Sequence, residues 1–201
     1  YGFGRLSNEE VVQRRQELFA ADELDLEKSV FMKQIHGRHV AVILQIHRGA
    51  GAFLPDTAIP ATDALITAER QIPLCVLTAD CFPVLIYAPE KPAIAAIHAG
   101  WRGIQQNIIG HTLSQMRKNF GVSRFYAAIG PAIRGCCFEV SAELRQQFVD
   151  KFGQQILANK PNHIDLAKIV QQQLLAAETL LVEDTSICTR CDVQNWPSYR
   201  R

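Results

Sequence analysis

Three side chains that bind metal ions well stand at the ends of apolar segments. His36 ends one segment and precedes Gly37, Cys81 follows Asp80 between two more, and His98 ends another. Open α/β sheets place their sites at strand ends followed by small residues, so the three side chains could converge on one sheet edge. Two histidines and one cysteine suit a borderline-soft ion such as Zn²⁺, and three protein ligands leave a fourth position for water or substrate. The pattern indicates a catalytic metal site.

A simpler interpretation of the same residues stays open. A cysteine inside an apolar run is most often a small buried hydrophobe, and a histidine at a strand end is most often only hydrogen-bonded. Other histidines compete for the role of ligand, namely His39, His47, His111 and His163. The pattern alone therefore does not show that His36, Cys81 and His98 are in contact.

Arg102 stands in a segment suited to an anion. The run from His98 to Gly103 joins an apolar strand to a helix, and its two glycines allow close approach of the backbone. An arginine near a helix N-terminus favours a phosphate or carboxylate there. Packing of Trp101 in a simple glycine turn explains the segment equally well.

Four further cysteines follow two turn regions. Cys136 and Cys137 come after a Gly/Pro loop at residues 130–135, together with Glu139. Adjacent cysteines rarely pair with each other, so we interpret them as thiols on a pocket loop. Cys188 and Cys191 have the spacing of a zinc knuckle or a redox pair, but a knuckle needs a second pair, and only Cys136 and Cys137 are available. We therefore expect structural or incidental thiols.

The elements that position these residues follow from hydrophobic periodicity. One-sided apolar patterns predict helices at residues 9–20, 104–120, 143–152 and 166–175, the first capped by Asn8 and the last by Asp165. Apolar runs predict strands at residues 29–35, 39–46, 64–67, 73–78, 83–88, 93–99, 125–129 and 182–187. No repeat or linker interrupts this order, so we predict one mixed α/β (α+β) domain over residues 1–201, with helices outside the sheet.

Composition limits the partners. Twenty-one Lys and Arg residues against twenty Asp and Glu residues give a formal net charge of +1, too balanced for nucleic acid to be the main partner. No apolar run approaches the roughly 20 residues of a membrane helix, so we predict a soluble protein. Six cysteines in a chain of this size indicate reduced thiols and favour the cytoplasm.

Several motifs together resemble a known family. They are Gln34-Ile35-His36-Gly37, Ala79-Asp80-Cys81, His98-Ala99-Gly100-Trp101-Arg102-Gly103, Ile129-Gly130-Pro131, Cys136-Cys137-Phe138-Glu139-Val140 and Ser198-Tyr199-Arg200-Arg201. Their order is that of the polyphenol oxidase (laccase domain) proteins, also called the peptidoglycan editing factor or multifunctional purine nucleoside phosphorylase family. The chain departs from the family at Trp196-Pro197, where an aromatic pair is usual, and it lacks the family's N-terminal Gly-Gly-Val-Ser region and glycine-rich tail.

The resemblance implies a four-layer α/β/β/α sandwich with mixed sheets. It also implies a zinc site made by His36, Cys81 and His98, the same three residues that the strand ends select. Family members are described as phosphorolysing adenosine, inosine, guanosine and methylthioadenosine and as deaminating adenosine. Copper-dependent phenol oxidation and editing of peptidoglycan precursors are also ascribed to the family.

The leading hypothesis is therefore a zinc-dependent purine nucleoside phosphorylase with adenosine deaminase activity. A metal ion lowers the pKa of a bound water for attack on the purine ring, and Asp80 is the nearest proton carrier. Arg102 and Arg200 are candidates to hold phosphate, and Cys137 is a candidate substrate contact on its loop. A purine nucleoside and phosphate are the expected partners, and neither nucleic acid nor a membrane is expected.

Three rival functions use the same residues differently. A cysteine hydrolase or amidase acting on peptidoglycan precursors would use Cys81 as nucleophile and His98 as base, without a metal. A copper oxidase is disfavoured because only Met32 and Met116 could supply a weak axial ligand. A structural zinc or partner-binding domain would need a fourth ligand, for which Cys137 is a candidate.

Overall fold

A computed structural model describes residues 6–201. The α-helices are α1 (Asn8–Ala21), α2 (Trp101–Gln105), α3 (Ile108–Phe120), α4 (Ala142–Phe152) and α5 (Leu166–Ala176). The strands are β1 (Val30–Phe31), β2 (Val40–Val42), β3 (Ala64–Thr67), β4 (Leu74–Cys75), β5 (Phe82–Ala88), β6 (Ala93–Ala99), β7 (Tyr126–Ile129) and β8 (Leu181–Asp184). Within residues 6–201, none of the helices combines the length and the apolar character needed to cross a bilayer.

The main sheet has six strands in the order β2-β3-β6-β5-β7-β8. The outer pairs β2/β3 and β7/β8 are parallel, whereas β3, β6, β5 and β7 pair in antiparallel fashion. The short strands β1 and β4 form a separate parallel pair. The mixed sheets and the helices confirm the predicted α+β class.

Within residues 6–201, three hydrophobic clusters lie between four layers of helices and strands. The largest cluster joins one face of the main sheet to helices α2 to α5, through residues such as Ile97, Leu113 and Phe148. A second cluster joins the other face to β1 and β4, and a third joins that strand pair to α1 through Phe19. Because strand side chains alternate between faces, Val30 enters the second cluster and its neighbour Phe31 the third. The layers are thus α/β/β/α, as the resemblance implies.

Two predicted elements differ from the structure for local reasons. The helix predicted at residues 104–120 is two helices, because Asn107 adopts the left-handed conformation at φ 59° and its side chain caps α3 at Gly110. The first helix is capped by Ser7 and not by Asn8, since Ser7 and Glu10 form a reciprocal capping box. Asp165 caps α5 as predicted, by accepting a hydrogen bond from the Ala167 N–H.

Some predicted strands are shorter than their apolar runs. The runs at residues 29–35, 39–46 and 73–78 contain only β1, β2 and β4, which are two or three residues long. Their remaining residues lie in loops and in a 3₁₀ turn at Gln45–His47. Met32 and Ile43 among them are buried, whereas four other large apolar side chains are exposed, namely Ile35, Leu44, Ile46 and Leu77. An apolar run in this chain therefore predicts neither strand pairing nor burial for every one of its residues.

Candidate metal centre

The fold brings His36, Cys81 and His98 together. Their ligand atoms all lie within 4.8 Å of one another, and the two imidazole rings meet edge to face with centroids 4.7 Å apart. β5 and β6 place two of the ligands, because Cys81 directly precedes β5, and His98 lies opposite Pro83 in the antiparallel register. We call this group the His–Cys site.

Asp63 organises the His–Cys site and was not identified from the sequence. It is fully buried, and its carboxylate accepts hydrogen bonds from Nδ1 of His98 at 2.8 Å and from the backbone N–H groups of His36 and Gly37 at 2.9 and 2.7 Å. A carboxylate on one ring nitrogen fixes the tautomer of a ligating histidine and leaves Nε2 as the electron-pair donor. The only signal in the sequence is an acidic residue immediately before the apolar segment Ala64–Ile66.

Burial and hydrogen bonding set the ionisation of these groups. Burial opposes ionisation of Asp63, but hydrogen bonds from the His98 side chain and the Gly37 backbone outweigh it and hold its pKa below the usual range. Burial and the neighbouring His98 lower the pKa of His36, which keeps its imidazole neutral. Burial, together with the nearby Asp80 and Asp63 carboxylates, raises the pKa of the Cys81 thiol to about 12. A cation among these residues would reverse that last effect by stabilising the thiolate.

Glycine at position 100 leaves room for the ligands. A Cβ atom on Gly100 would lie 2.9 Å from Cδ2 of His36 and 3.3 Å from Sγ of Cys81. His36 and Asp80 have positive φ angles of 61° and 89°, a conformation that costs free energy in non-glycine residues and often marks functional sites. The backbone is therefore shaped around the three side chains.

The donor set fits a metal ion, and zinc in particular. Neutral imidazole nitrogens and a thiolate are ligands of Zn²⁺, and the buried Asp63 is the type of outer carboxylate that ligating histidines have. Among residues 6–201, three such side chains form this group, and Cys137 does not join it. Met32 and Met116, the candidate axial ligands for copper, lie instead in the second and the main hydrophobic clusters.

Asp80 connects the His–Cys site to the C-terminal segment. Its buried carboxylate accepts a hydrogen bond from Oγ1 of Thr189 at 2.6 Å and another from the backbone N–H of Arg200 at 3.1 Å. The Arg200 guanidinium lies over the Phe138 ring and donates to the Glu139 carbonyl at 2.9 Å. Asp80 thus holds the last residues of the chain beside Cys81.

Arg102 lies near the His–Cys site. Its exposed guanidinium stacks on the Trp101 ring, 4.2 Å from the centroid, and its charge contributes to lowering the pKa of His36. Arg102 is therefore an exposed cation close to the proposed ligand His36.

Cys137 lies in a second group of thiols. The Sγ atoms of Cys136, Cys137, Cys188 and Cys191 all lie within 4.8 Å of one another, and we call this group the four-cysteine cluster. Burial raises the pKa of Cys188, but backbone N–H groups of Arg134, Cys191 and Arg190 donate to its thiol and bring the pKa below its usual value. The second pair that a Cys-x-x-Cys knuckle requires is thus Cys136 and Cys137.

The chain is similar to known proteins over most of its length. Residues 5–201 match the profile of the family described as "Multi-copper polyphenol oxidoreductase laccase". A purine nucleoside phosphorylase of Bacteroides thetaiotaomicron is 35% identical over 203 residues, which are 96% of this chain and 75% of that protein. The adenosine deaminase RL5 of an unknown prokaryotic organism is 32% identical over 187 residues, 89% of this chain and 71% of the relative.

One relative also has a solved structure. The purine nucleoside phosphorylase YlmD of Geobacillus stearothermophilus is 32% identical over 206 residues, 96% of this chain and 74% of that protein. The crystal structure of YlmD from that organism matches 97% of this chain and 76% of its own, with a TM-score of 0.90 and 30% identity.

Proposed function

The chain belongs to the family described as multi-copper polyphenol oxidoreductase laccase, and from this premise we propose that it is a zinc-dependent purine nucleoside phosphorylase with adenosine deaminase activity. The observation that carries the proposal is the convergence of His36, Cys81 and His98 around the Asp63 carboxylate. Its substrates are adenosine, inosine, guanosine and methylthioadenosine, and phosphate is the co-substrate. The names of the relatives support this choice of chemistry.

His36, Cys81 and His98 would hold the ion. An ion held there would supply Lewis acidity to the substrate and to water. Asp63 keeps the Nδ1 proton on His98, so the free electron pair of this imidazole is on Nε2 and is available to bind the metal ion. The residues around the site then have to hold phosphate, exclude water and move protons.

In phosphorolysis a phosphate oxygen forms a bond to C1′ of the ribose while the bond from C1′ to the purine nitrogen breaks. The products are ribose 1-phosphate and the free base, which takes up a proton at that nitrogen. Arg102 holds the phosphate, since its guanidinium is exposed beside His36, and Arg200 assists from the C-terminal segment. In deamination water adds to C6 of adenosine and ammonia leaves, with Asp80 as the proposed proton carrier.

The experiment is an assay of the zinc-loaded protein with inosine, with and without phosphate. We expect hypoxanthine and ribose 1-phosphate only when phosphate is present. The variant His36→Asn serves as the control, because asparagine tolerates the left-handed backbone at this position while the imidazole ligand is lost. Absence of phosphate-dependent hypoxanthine release from the zinc-loaded wild-type protein overturns the proposal.

A cysteine hydrolase or amidase acting on peptidoglycan precursors is the second candidate. One observation favours it, since Cys81, His98 and Asp63 have the order of nucleophile, base and orienting carboxylate. A protein that holds no metal at the His–Cys site, hydrolyses such a precursor and loses the activity when Cys81 is alkylated would support this candidate. Zinc that is lost on Cys81→Ala together with phosphorolysis would support the first.

A further inference from the structure

Two loops distant in sequence deliver the four-cysteine cluster. Cys136 and Cys137 follow the turn after β7, and Cys188 and Cys191 follow β8. β7 and β8 are parallel neighbours, and a parallel bridge between Ala132 and Cys188 extends their alignment beyond the sheet. The proximity of the thiols is therefore a product of the sheet register.

The separations within the cluster match a single tetrahedral ion. Sγ of Cys191 lies 3.4 Å from Sγ of Cys137 and 3.7 Å from Sγ of Cys136, and all four sulfur atoms lie within 4.8 Å of one another. A zinc ion with four thiolates at about 2.3 Å has sulfur atoms about 3.8 Å apart along each edge of the tetrahedron. The four cysteines are free thiols in the structure, so each can supply one ligand.

We propose that Cys136, Cys137, Cys188 and Cys191 form a closed structural zinc site, separate from the His–Cys site. The Cys-x-x-Cys spacing of Cys188 and Cys191 is that of a zinc knuckle, and four thiolates complete the coordination shell. Zn²⁺ displaces the four thiol protons, which pass to solvent, and leaves a centre of charge −2. The proposal is independent of the reaction that the protein catalyses.

Basic side chains surround this centre. Lys160 donates from Nζ to the Cys136 carbonyl at 2.9 Å, and Arg201 donates to the Thr189 carbonyl at 2.8 Å. Arg190 lies between the two knuckle cysteines, and its backbone N–H, like that of Arg134, donates to the Cys188 thiol. Cations and N–H donors of this kind stabilise an anionic thiolate centre.

The proposed zinc centre lies where it can hold the hydrogen-bond donors of Asp80 in place. Thr189, inside the knuckle, donates to Asp80, and the Arg200 N–H reaches the other oxygen of the same carboxylate. Zinc would tie the C-terminal segment to the loop after β7 and so keep both donors on Asp80, the neighbour of Cys81. The metal thus replaces the hydrophobic burial that these exposed loops lack.

The test is metal analysis of the full chain purified under reducing conditions, in a His36→Asn/Cys81→Ala background that removes two ligands of the His–Cys site. We expect one zinc per chain, reduced at least tenfold by Cys191→Ser and by Cys136→Ser. Cys75→Ser is the matched control, because Cys75 is a half-buried thiol outside both groups, and it should leave the zinc content unchanged. Chains without zinc, or a zinc content indifferent to Cys191→Ser, overturn the proposal.

X-ray absorption at the zinc edge keeps the proposal testable if the serine variants fail to fold. In the background protein we expect a first shell of four sulfur atoms at about 2.3 Å. A first shell of nitrogen or oxygen contradicts the proposal, as does iron in place of zinc. Mass loss corresponding to two disulfides, with no metal, overturns it as well.

Discussion

Asp63 Oδ1 accepts a hydrogen bond from His98 Nδ1 at 2.8 Å, with both side chains almost completely buried. The register of β3 against β6 creates this contact, since Ala64 pairs with Ile97 and Asp63 therefore lies beside His98. The same carboxylate fixes the backbone at His36 and Gly37. One residue outside the ligand set thus orients two of the three proposed ligands.

Asp63→Asn should weaken zinc binding at the His–Cys site by about 10- to 100-fold, the usual effect of losing an outer carboxylate. The amide cannot supply the negative charge that stabilises the His98 Nδ1 proton. Zinc affinity is measured by competition with a chelator in a Cys136→Ser/Cys191→Ser background, so that only this site titrates. Asp165→Asn is the control, since asparagine caps a helix as well as aspartate does. Equal affinities of Asp63→Asn and its parent would contradict the assignment.

Gly100→Ala should also remove zinc from the His–Cys site, for a steric reason. The added methyl group would lie 2.9 Å from the His36 ring and 3.3 Å from the Cys81 sulfur, which forces one ligand to move and costs about 1–3 kcal/mol of stability. The control is Gly121→Ala, where φ is +69° but no atom lies within 4 Å. That variant should lose about 1 kcal/mol and keep its zinc. Full zinc affinity in Gly100→Ala would show that the ligands do not need this space.

Prediction from the sequence agrees with the structure for four strands of the main sheet. β3, β5, β6 and β7 agree closely with their predicted ranges, because continuous apolar runs are typical of buried strands. In β5 only one face is covered throughout, since Leu85 and Tyr87 on the other face are exposed. Local pattern alone indicates His98, at the end of one such strand, and Cys81, directly before another, as candidate ligands. Their ligand atoms lie within 4.8 Å of each other in the structure.

Long-range pairing explains what local pattern could not supply. Asp63 becomes important only through the antiparallel contact of β3 with β6, and the four-cysteine cluster only through the parallel contact of β7 with β8. Strand order is not encoded in the period of a single strand. The break at Asn107 was missed for a different reason, since a left-handed residue leaves the apolar stripe of α3 intact.

Asp184→Asn should reduce stability at neutral pH and have little effect in acid. Burial raises the pKa of Asp184, but hydrogen bonds from Arg134 at 2.7 and 2.9 Å outweigh it, so the pKa in the folded protein is below its usual range. The ion pair therefore stabilises the fold above the unfolded pKa of about 3.9 and loses its effect as the pH falls through the lower folded value.

The measurement for Asp184 is the free energy of unfolding in denaturant at several pH values. At pH 7 we expect a loss of about 2 kcal/mol, the usual worth of hydrogen bonds to a charged group. The difference between variant and wild type should shrink towards zero as the pH falls through the folded pKa of Asp184, which lies below the unfolded value. Asp150→Asn, on the exposed face of α4, should show no such pattern. A difference that is constant with pH would mean that the charge of Asp184 is irrelevant.

Thr189→Val tests the link between the C-terminal segment and Asp80. Valine keeps the shape of threonine but removes the hydroxyl that donates to the buried carboxylate at 2.6 Å. We expect a loss of about 2 kcal/mol in the free energy of unfolding, because the carboxylate oxygen is left without its donor. Thr185→Val, at an exposed position four residues earlier, is the matched control and should change stability by less than about 0.5 kcal/mol. Equal stabilities of the two variants would disprove a structural role for this contact.

Arg102→Ala should separate phosphate binding from metal binding. The Arg102 guanidinium is exposed and held by stacking on Trp101, so its removal leaves the hydrophobic core and the three ligands in place. We expect a rise in the KM for phosphate of about tenfold or more, corresponding to the loss of one charge-assisted contact of about 1.5–3 kcal/mol, with unchanged zinc content. Arg102→Lys keeps the charge but loses the planar guanidinium group. Its KM for phosphate should lie between those of the wild type and of Arg102→Ala. Arg14→Ala, on α1 in the outermost layer, is the control and should leave the KM unchanged. If Arg102→Ala binds phosphate as wild type does, Arg102 does not hold the co-substrate, and Arg200 becomes the remaining candidate.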